Sequence, residues 1–520
     1  MVVELYDTTL RDGAQGHGIS FSVLDKVRFV KELDNLGVSY VEGGWPGSNP
    51  KDVEFFGRMS RIPLKNTTLT AFGSTCRPGS IASEDTGLRA LLNAHVSTVA
   101  IVGKSCESHV ISVLETSLAE NLRMISDTVA FLAEKDFKVI FDAEHFFDGF
   151  RSNPEYAVST LEAALAAGAE TIVLCDTNGG TMPDELLDTI ASVQDKIDAP
   201  LGIHAHDDSG IAVANSLLAT SAGVQHIQGT FNGYGERCGN ADLCTLIPNL
   251  QIKMGLSCIP EENLGELTRV SRWVSELANV SHRDSQPFVG SNAFAHKGGL
   301  HVSALSKDSR AYEHIDPAQV GNTRRVLISD LSGRSNVLSK VQNRCMALSK
   351  DDPQAEEILT KVKELEHQGY QFEGAEGSFE LLVNRVLHSY RSLFSLEGFR
   401  VIVDKHGDSP VMSEATIKVR VGRETVHTAA EGNGPVNALD NALRKALQGI
   451  YPEMAGIRLV DYKVRVIDGQ DGTKAKVRVL IESGSKGKKW GTVGVSPNII
   501  EASWQALVDS VEYGLLVEGR

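Results

Sequence analysis

The sequence predicts an α/β protein in three parts: an N-terminal (β/α)8 barrel of the TIM type, mostly helical linker subdomains, and a C-terminal α+β module with an internal repeat. Three observations carry this reading. Up to about Leu256, short apolar runs alternate eight times with stretches of helical period. Polar residues able to do chemistry collect at the C-terminal ends of the strand candidates, where a barrel builds its active site. Beyond Phe399 the texture changes to alternating strands bounded by turns. A doubly wound open sheet is the alternative fold for the first part.

The strand candidates are Val2–Tyr6, Ser39–Glu42, Thr67–Phe72, Thr98–Val102, Lys138–Asp142, Thr171–Cys175, Leu201–Ala205 and His226–Thr230. Helices are expected between them at Val23–Leu36, Ser112–Glu134, Pro154–Ala167, Pro183–Ile197 and Ile211–Ala222. With this phasing Asp12 follows the first strand, Glu42 ends the second, Glu144 ends the fifth and Asp176-Thr177 the sixth. His204 and His206 end the seventh, and Asn232 through Asn240 follow the eighth. Strand side chains repeat every two residues, so His204 and His206 share a face.

One carboxylate and two same-face imidazoles can hold a divalent metal. The planar fork of Arg11 beside Asp12 suits a substrate with its own carboxylate. Together they point to metal-assisted chemistry on a small oxoacid. The plainer alternative is that the histidines merely end a strand while Asp12 caps the next turn. Polar groups gathered at one end of so many strands favour the metal site.

With 520 residues and 42% hydrophobic content, the chain can bury a large core and should split into domains, expected at 1–258, 259–396 and 397–520. A net charge of -16 argues against broad nucleic-acid or anionic-membrane binding. No apolar stretch approaches the ~20 residues that span a bilayer, and no charged-then-apolar leader opens the chain, so a cytoplasmic location is expected. The seven cysteines lack a C-x-x-C pair and fit reduced, mostly buried thiols. The charged run Lys350 to Gln368 reads as a solvated helix face.

In the C-terminal part, placing Thr428 on Thr492 brings Ala438 onto Ala502, Ala442 onto Ala506 and Leu443 onto Leu507, a repeat of 64 residues. Two related halves suggest a pseudo-twofold module. Each has a small-residue turn before a helix, Gly432-Asn433-Gly434-Pro435 and Ser496-Pro497-Asn498. Such turns present amides to a carboxylate or simply cap the helix. A turn is also expected at Asp468-Gly469-Gln470-Asp471-Gly472.

Two motifs are specific. Leu10-Arg11-Asp12-Gly13-x-Gln15 followed by Lys26, and Leu201-x-x-His204-x-His206-Asp207-Asp208-x-Gly210, together resemble the signatures of the isopropylmalate, homocitrate and citramalate synthase family. The Asn232-to-Asn240 loop, the segment Ala295-His296-Lys297-Gly298-Gly299-Leu300-His301 and the repeated C-terminal module extend the resemblance along the chain. The segments Glu42 to Asp52 and Asp142 to Gly149 are most similar to its citramalate-forming branch, which favours pyruvate as the oxoacid.

That resemblance implies a divalent metal on Asp12, His204, His206 and Asn240, with manganese, magnesium, zinc and cobalt all open. It implies catalysis by Arg11, Glu144, His301 and Tyr312, and oxoacid contact by Thr177 and Arg11. Acetyl-CoA would be the co-substrate, deprotonated by Glu144, with His301 and Tyr312 handling water or protonation. It further implies a homodimer sensing isoleucine through the last domain. A 2-isopropylmalate synthase acting on 2-oxoisovalerate, a lyase on the same metal set and an inactive amino-acid sensor are the alternatives. Gly233-Tyr234-Gly235-Glu236-Arg237 lacks dinucleotide-loop spacing, and its glycines are expected to bring backbone close to the metal.

Overall fold

The computed structural model describes residues 2–298, 301, 304–305, 307–326, 353–372, 374–387, 390, 392–467, 474–486 and 488–518. The chain forms two compact units, Met1–Phe294 with Ile315–Thr323, and Ala295–His314 with Arg324–Arg520.

The first unit is a closed parallel barrel of β1 (Glu4–Asp7), β2 (Tyr40–Glu42), β3 (Thr68–Ser74), β4 (Thr98–Lys104), β5 (Lys138–Glu144), β6 (Thr171–Asp176), β7 (Leu201–Ala205) and β8 (His226–Gly229). Closure comes from β1 on β8, with Tyr6 opposite Gln228 and Asp7 opposite Gly229. The open sheet is thereby excluded. β3, β4 and β5 each run two residues further than their apolar runs indicate, because hydrogen bonding to neighbouring strands continues through polar positions. That extension places Lys104 and Glu144 within strands, in register with each other.

Helix Val23–Leu36 starts at a capping box between Ser22 and Asp25 and stops at Gly37, whose φ of 92° an L side chain would strain. The helix expected over Ser112–Glu134 is present as Leu118–Ala133 and starts six residues later than expected, after a separate short helix, Glu107–Ser112. Ser117 accepts a hydrogen bond from the Glu120 amide and begins the second one afresh. The helices Pro154–Ala166, Pro183–Gln194 and Ala212–Ser221 fall within a few residues of expectation.

Alternation along the strands divides the core in two. Outward residues such as Leu5, Val41, Ile101, Phe141, Leu174 and Ile203 pack against the helices. Inside, Tyr6, Tyr40, Phe72, Ala100, Ile140, Val173 and Cys175 fill the barrel. Burying one such aromatic or branched side chain contributes about 1.5–3 kcal/mol to the stability of the barrel.

The second unit contains a short ladder of β9 (Ala295–His296) with β10 (Arg325–Val326), and helices Pro353–His367 and Glu376–Val386. Next come β11 (Ser395–Asp404), β12 (Met412–Val421) and β13 (Glu424–Gly432) with helix Pro435–Leu447. β14 (Arg458–Val466), β15 (Val477–Ser485) and β16 (Lys488–Ser496) with helix Ile499–Val517 repeat that plan. β13 and β16 coincide under the 64-residue offset. Both sheets are antiparallel, and the two long helices share one core through Leu439, Leu443, Trp504 and Val511. At the second turn Asn498 does cap its helix, accepting from the Ile500 and Glu501 amides, whereas Gly434 offers no side-chain cap.

The turn expected at Asp468–Gly472 and Cys345 lie outside the described residues. Of the other cysteines five are buried, and Cys238 is exposed. Among the described residues no helix is long and apolar enough to cross a membrane.

Candidate metal and oxoacid site

Above the apolar barrel floor, at the C-terminal rim, charged side chains such as Arg11, Asp12 and Glu144 join apolar ones such as Trp45 and Phe72. β1 delivers the chain into a tight turn in which Asp7 accepts hydrogen bonds from the Thr9 amide and hydroxyl, and Thr9 in turn accepts from the Phe231 amide. This turn aims Arg11 and Asp12 into the barrel mouth. Asp12 occupies the cap position of a short helical turn but makes no capping bond with its side chain, which removes the plainer reading of this residue.

Asp12 Oδ2 instead lies 3.5 Å from His204 Nε2 and 3.8 Å from His206 Nε2. All three side chains are buried, and among the described residues they are the one His/Cys/Asp/Glu group whose ligating atoms lie within 4.8 Å of each other. Atoms gathered this closely could hold one metal ion. Asn240, bridged to His206 through the backbone, donates its amide to Asp12 Oδ1 at 2.8 Å while its Oδ1 is buried without a partner. Two imidazoles, a carboxylate and an orphaned amide oxygen fit a divalent metal well.

The electrostatics of Asp12 and His206 agree. Burial alone would raise the Asp12 pKa, but the His204 hydrogen bond and the charges of Arg11, His204 and His206 outweigh it and hold it well below the usual carboxylate range. Burial and the neighbouring His204 charge push His206 down to about 4, keeping it neutral as a ligand must be. Burial opposes charge on His204 too, yet Asp12 overcomes that and raises its pKa.

The glycines of the following loop make room. At Gly235 (φ 156°) a Cβ would come 2.2 Å from Asn240 Nδ2 and 3.2 Å from Asp12 Oδ1, so the backbone there touches the cluster. Arg237 closes the loop with a fork to Asp208 and a bond to the Thr177 carbonyl.

Beside the cluster, Arg11 lies over the Phe72 ring at 3.9 Å and pairs through Nε with fully buried Glu42, which also accepts from Tyr6 at 2.8 Å. Glu144 pairs with Lys104. Thr177 Oγ1 accepts from the His145 amide at 2.8 Å, leaving its hydroxyl hydrogen to donate. Arg11, Asp12, Glu144, Thr177, His204 and His206 line one cavity of about 470 Å³, with Asp142, Lys104, Phe72 and Trp45. Burial and the Glu42 charge push Asp142 up to about 7.

The structure therefore gathers six of the expected residues in one cavity, with Asn240 at the cluster's edge. His301 and Tyr312 belong to the second unit, where their rings stack 4.0 Å apart. Next to Tyr312, Glu313 is buried between His296 and Arg324. Lys104, Asp142 and Gln228 had no expected role, and Glu42 was noted only for its position. The available signal was a charged or amide group at an inward position of an otherwise apolar strand. Lys26, part of the first motif, is structural: it joins Asp52 and the Gly43 carbonyl, fixing the loop after β2.

A (β/α)8 barrel with a carboxylate–imidazole cluster and an arginine at its rim defines a divalent-metal barrel of the HMGL-like class, whose family model matches residues 2–274. Two further models match: homocitrate synthase post-HMGL domain-like at 288–370, and the LeuA allosteric (dimerisation) domain at 373–515. The (R)-citramalate synthase of Geobacter sulfurreducens is 55% identical, covering 99% of this chain and 98% of its own, and that of Synechocystis is 52% identical over 98% and 96%. The 2-isopropylmalate synthase of Pyrococcus furiosus is 30% identical over 98% of each chain. The chain belongs to the (R)-citramalate synthase family.

Proposed function

We propose that this chain condenses acetyl-CoA with pyruvate and hydrolyses the resulting thioester, releasing (R)-citramalate and CoA. The observation that carries this reading is the Asp12–His204–His206 cluster sharing one cavity with Arg11 and Glu144. Those three residues and Asn240 would hold a divalent cation, which would supply a Lewis acid for the 2-oxo group of the substrate. Arg11, fixed by Glu42, presents its fork to the oxoacid and steadies the developing alkoxide. Thr177 donates its free hydroxyl hydrogen to the oxoacid carboxylate.

Glu144 takes a methyl proton from acetyl-CoA. The methyl carbon bonds to C2 of pyruvate as the C2–oxygen π bond opens, and that oxygen gains a proton. Water then adds to the thioester carbon, and the C–S bond breaks to give a carboxylate and CoA thiol. We assign protonation and water activation to His301 and Tyr312, on the strength of the family pattern that carries both. Lys104 holds the Glu144 carboxylate in the cavity.

Segment 1–258 is assigned to catalysis, 259–396 to the linker, and 397–520 to isoleucine binding and dimerisation. The match to the LeuA allosteric (dimerisation) model supports the last. The test is CoA thiol release from acetyl-CoA with pyruvate, 2-oxobutyrate, 2-oxoisovalerate and 2-oxoglutarate in turn. Pyruvate should give the highest kcat/KM, chelation should abolish turnover, and divalent metal should restore it. A preference for 2-oxoisovalerate would replace this reading with leucine-pathway synthesis.

A further inference from the structure

Below the metal cluster a line of buried polar side chains continues that the reaction above does not use. His204 on β7 and Gln228 on β8 are register partners. His204 Nδ1 lies 2.8 Å from Gln228 Oε1, and Gln228 Nε2 donates to Asp142 Oδ1, on β5, at 3.0 Å. His204, Gln228 and Asp142 are 5%, 0% and 3% exposed. Tyr6, the neighbour of Gln228 on its other side, gives its hydroxyl to Glu42 and does not compete for the amide.

Counting donors and acceptors fixes the rest. The amide turns its NH2 to the accepting oxygen of Asp142, so its own oxygen meets the imidazole. An oxygen there requires a hydrogen on Nδ1. A ligating histidine is neutral, and of its two tautomers this one leaves Nε2 unprotonated. Nε2 is the nitrogen that faces Asp12 at 3.5 Å.

We propose that Gln228, held by Asp142, is a positioning residue that keeps His204 in the tautomer and ring orientation that bind the divalent cation through Nε2. His206 has no such support, since its Nδ1 is buried without a hydrogen-bond partner. The task of orienting the imidazole pair therefore falls on the His204 side. The inference rests on the metal site and on neither the identity of the oxoacid nor the role of Glu144.

The test measures binding of Mn2+ alone to the full-length, metal-stripped protein, by the electron paramagnetic resonance signal of the free ion. Gln228→Leu should weaken binding by about 10–100-fold, the usual loss when a partner of a ligating histidine is removed. Gln228→Glu should stay within about threefold, because its carboxylate still accepts from Nδ1 and shares one proton with Asp142. Ile140→Ala removes an equally buried interior side chain outside the line and controls for lost packing. It should lower stability but leave Mn2+ affinity within about twofold. The visible spectrum of the Co2+-loaded protein should change in Gln228→Leu and stay unchanged in Ile140→Ala. A folded Gln228→Leu protein with wild-type Mn2+ affinity and an unchanged Co2+ spectrum overturns the proposal. So does an Ile140→Ala protein that loses as much affinity as Gln228→Leu. A wild-type chain that binds neither ion would overturn the metal site together with this assignment, a result distinct from a loss confined to the variants.

Discussion

Replacing Glu42 separates the positioning of Arg11 from its charge. Glu42 is fully buried, takes the Tyr6 hydroxyl at 2.8 Å on Oε2 and pairs with Arg11 Nε on Oε1, while the guanidinium rests 3.9 Å above Phe72 and its Nη1 is 3.5 Å from Asp12. Glu42→Gln keeps the shape and an acceptor oxygen but removes the charge. A hydrogen bond to a charged group contributes about 1.5–3 kcal/mol against about 1 for a neutral one, so about 1–2 kcal/mol of hold on Arg11 is lost. If that hold is expressed in the transition state, kcat/KM for pyruvate falls by roughly 5–30-fold. Glu42→Ala leaves a mostly buried guanidinium without its main partner, which costs about 3–5 kcal/mol of stability, and lets Arg11 drift from the site, a displacement that commonly costs about 10²-fold in rate. The assays are CoA thiol release against pyruvate concentration and urea unfolding of the same preparations. Wild-type kcat/KM and an unchanged urea midpoint for Glu42→Ala would refute the argument that this buried pair positions Arg11.

Glu144→Gln should retain Mn2+ and pyruvate binding by calorimetry yet lose at least about tenfold in kcat, and a smaller loss removes Glu144 as the base. Arg11→Lys keeps the charge but not the fork held by Glu42, and should also be severely impaired in kcat/KM. Burial pushes the Asp7 carboxyl up to about 7 against the Thr9 hydrogen bonds, so the folded state holds this proton more tightly than the unfolded chain. That contribution is fully present below the ordinary aspartate range and is lost as pH rises through about 7. Asp7→Asn should therefore compare more favourably with wild type at high pH than at low pH in urea unfolding, and a pH-independent difference would contradict the assignment. Isoleucine at millimolar concentration should inhibit the full-length protein, and a chain ending near Ser395 should lose that inhibition while still binding Mn2+. Equal inhibition of both would move the effector site out of the C-terminal module.

Much of the site is already written in the local pattern of the chain. The i, i+2 spacing of His204 and His206 on a strand puts both imidazoles on one face whatever surrounds them, and a loop after β1 can only emerge at the end of the barrel where those histidines stand. Periodicity and caps act over a few residues, so helix Val23–Leu36 and the 64-residue repeat were legible in the same way. The helix expected over Ser112–Glu134 begins late, at Leu118, for a reason of equal range, since Ser117 is a capping residue inside the run. What only the tertiary structure decided is which inward side chains meet. Arg11 with Glu42, Lys104 with Glu144, and His204 with Gln228 and Asp142 are joined by strand register and by closure of β1 on β8. Register depends on how the whole barrel packs, and shifting one strand by one residue would turn each of these groups to the opposite face. The residues we assign to binding and reaction were therefore legible in the sequence, whereas the side chains paired with them became visible only when the barrel closed.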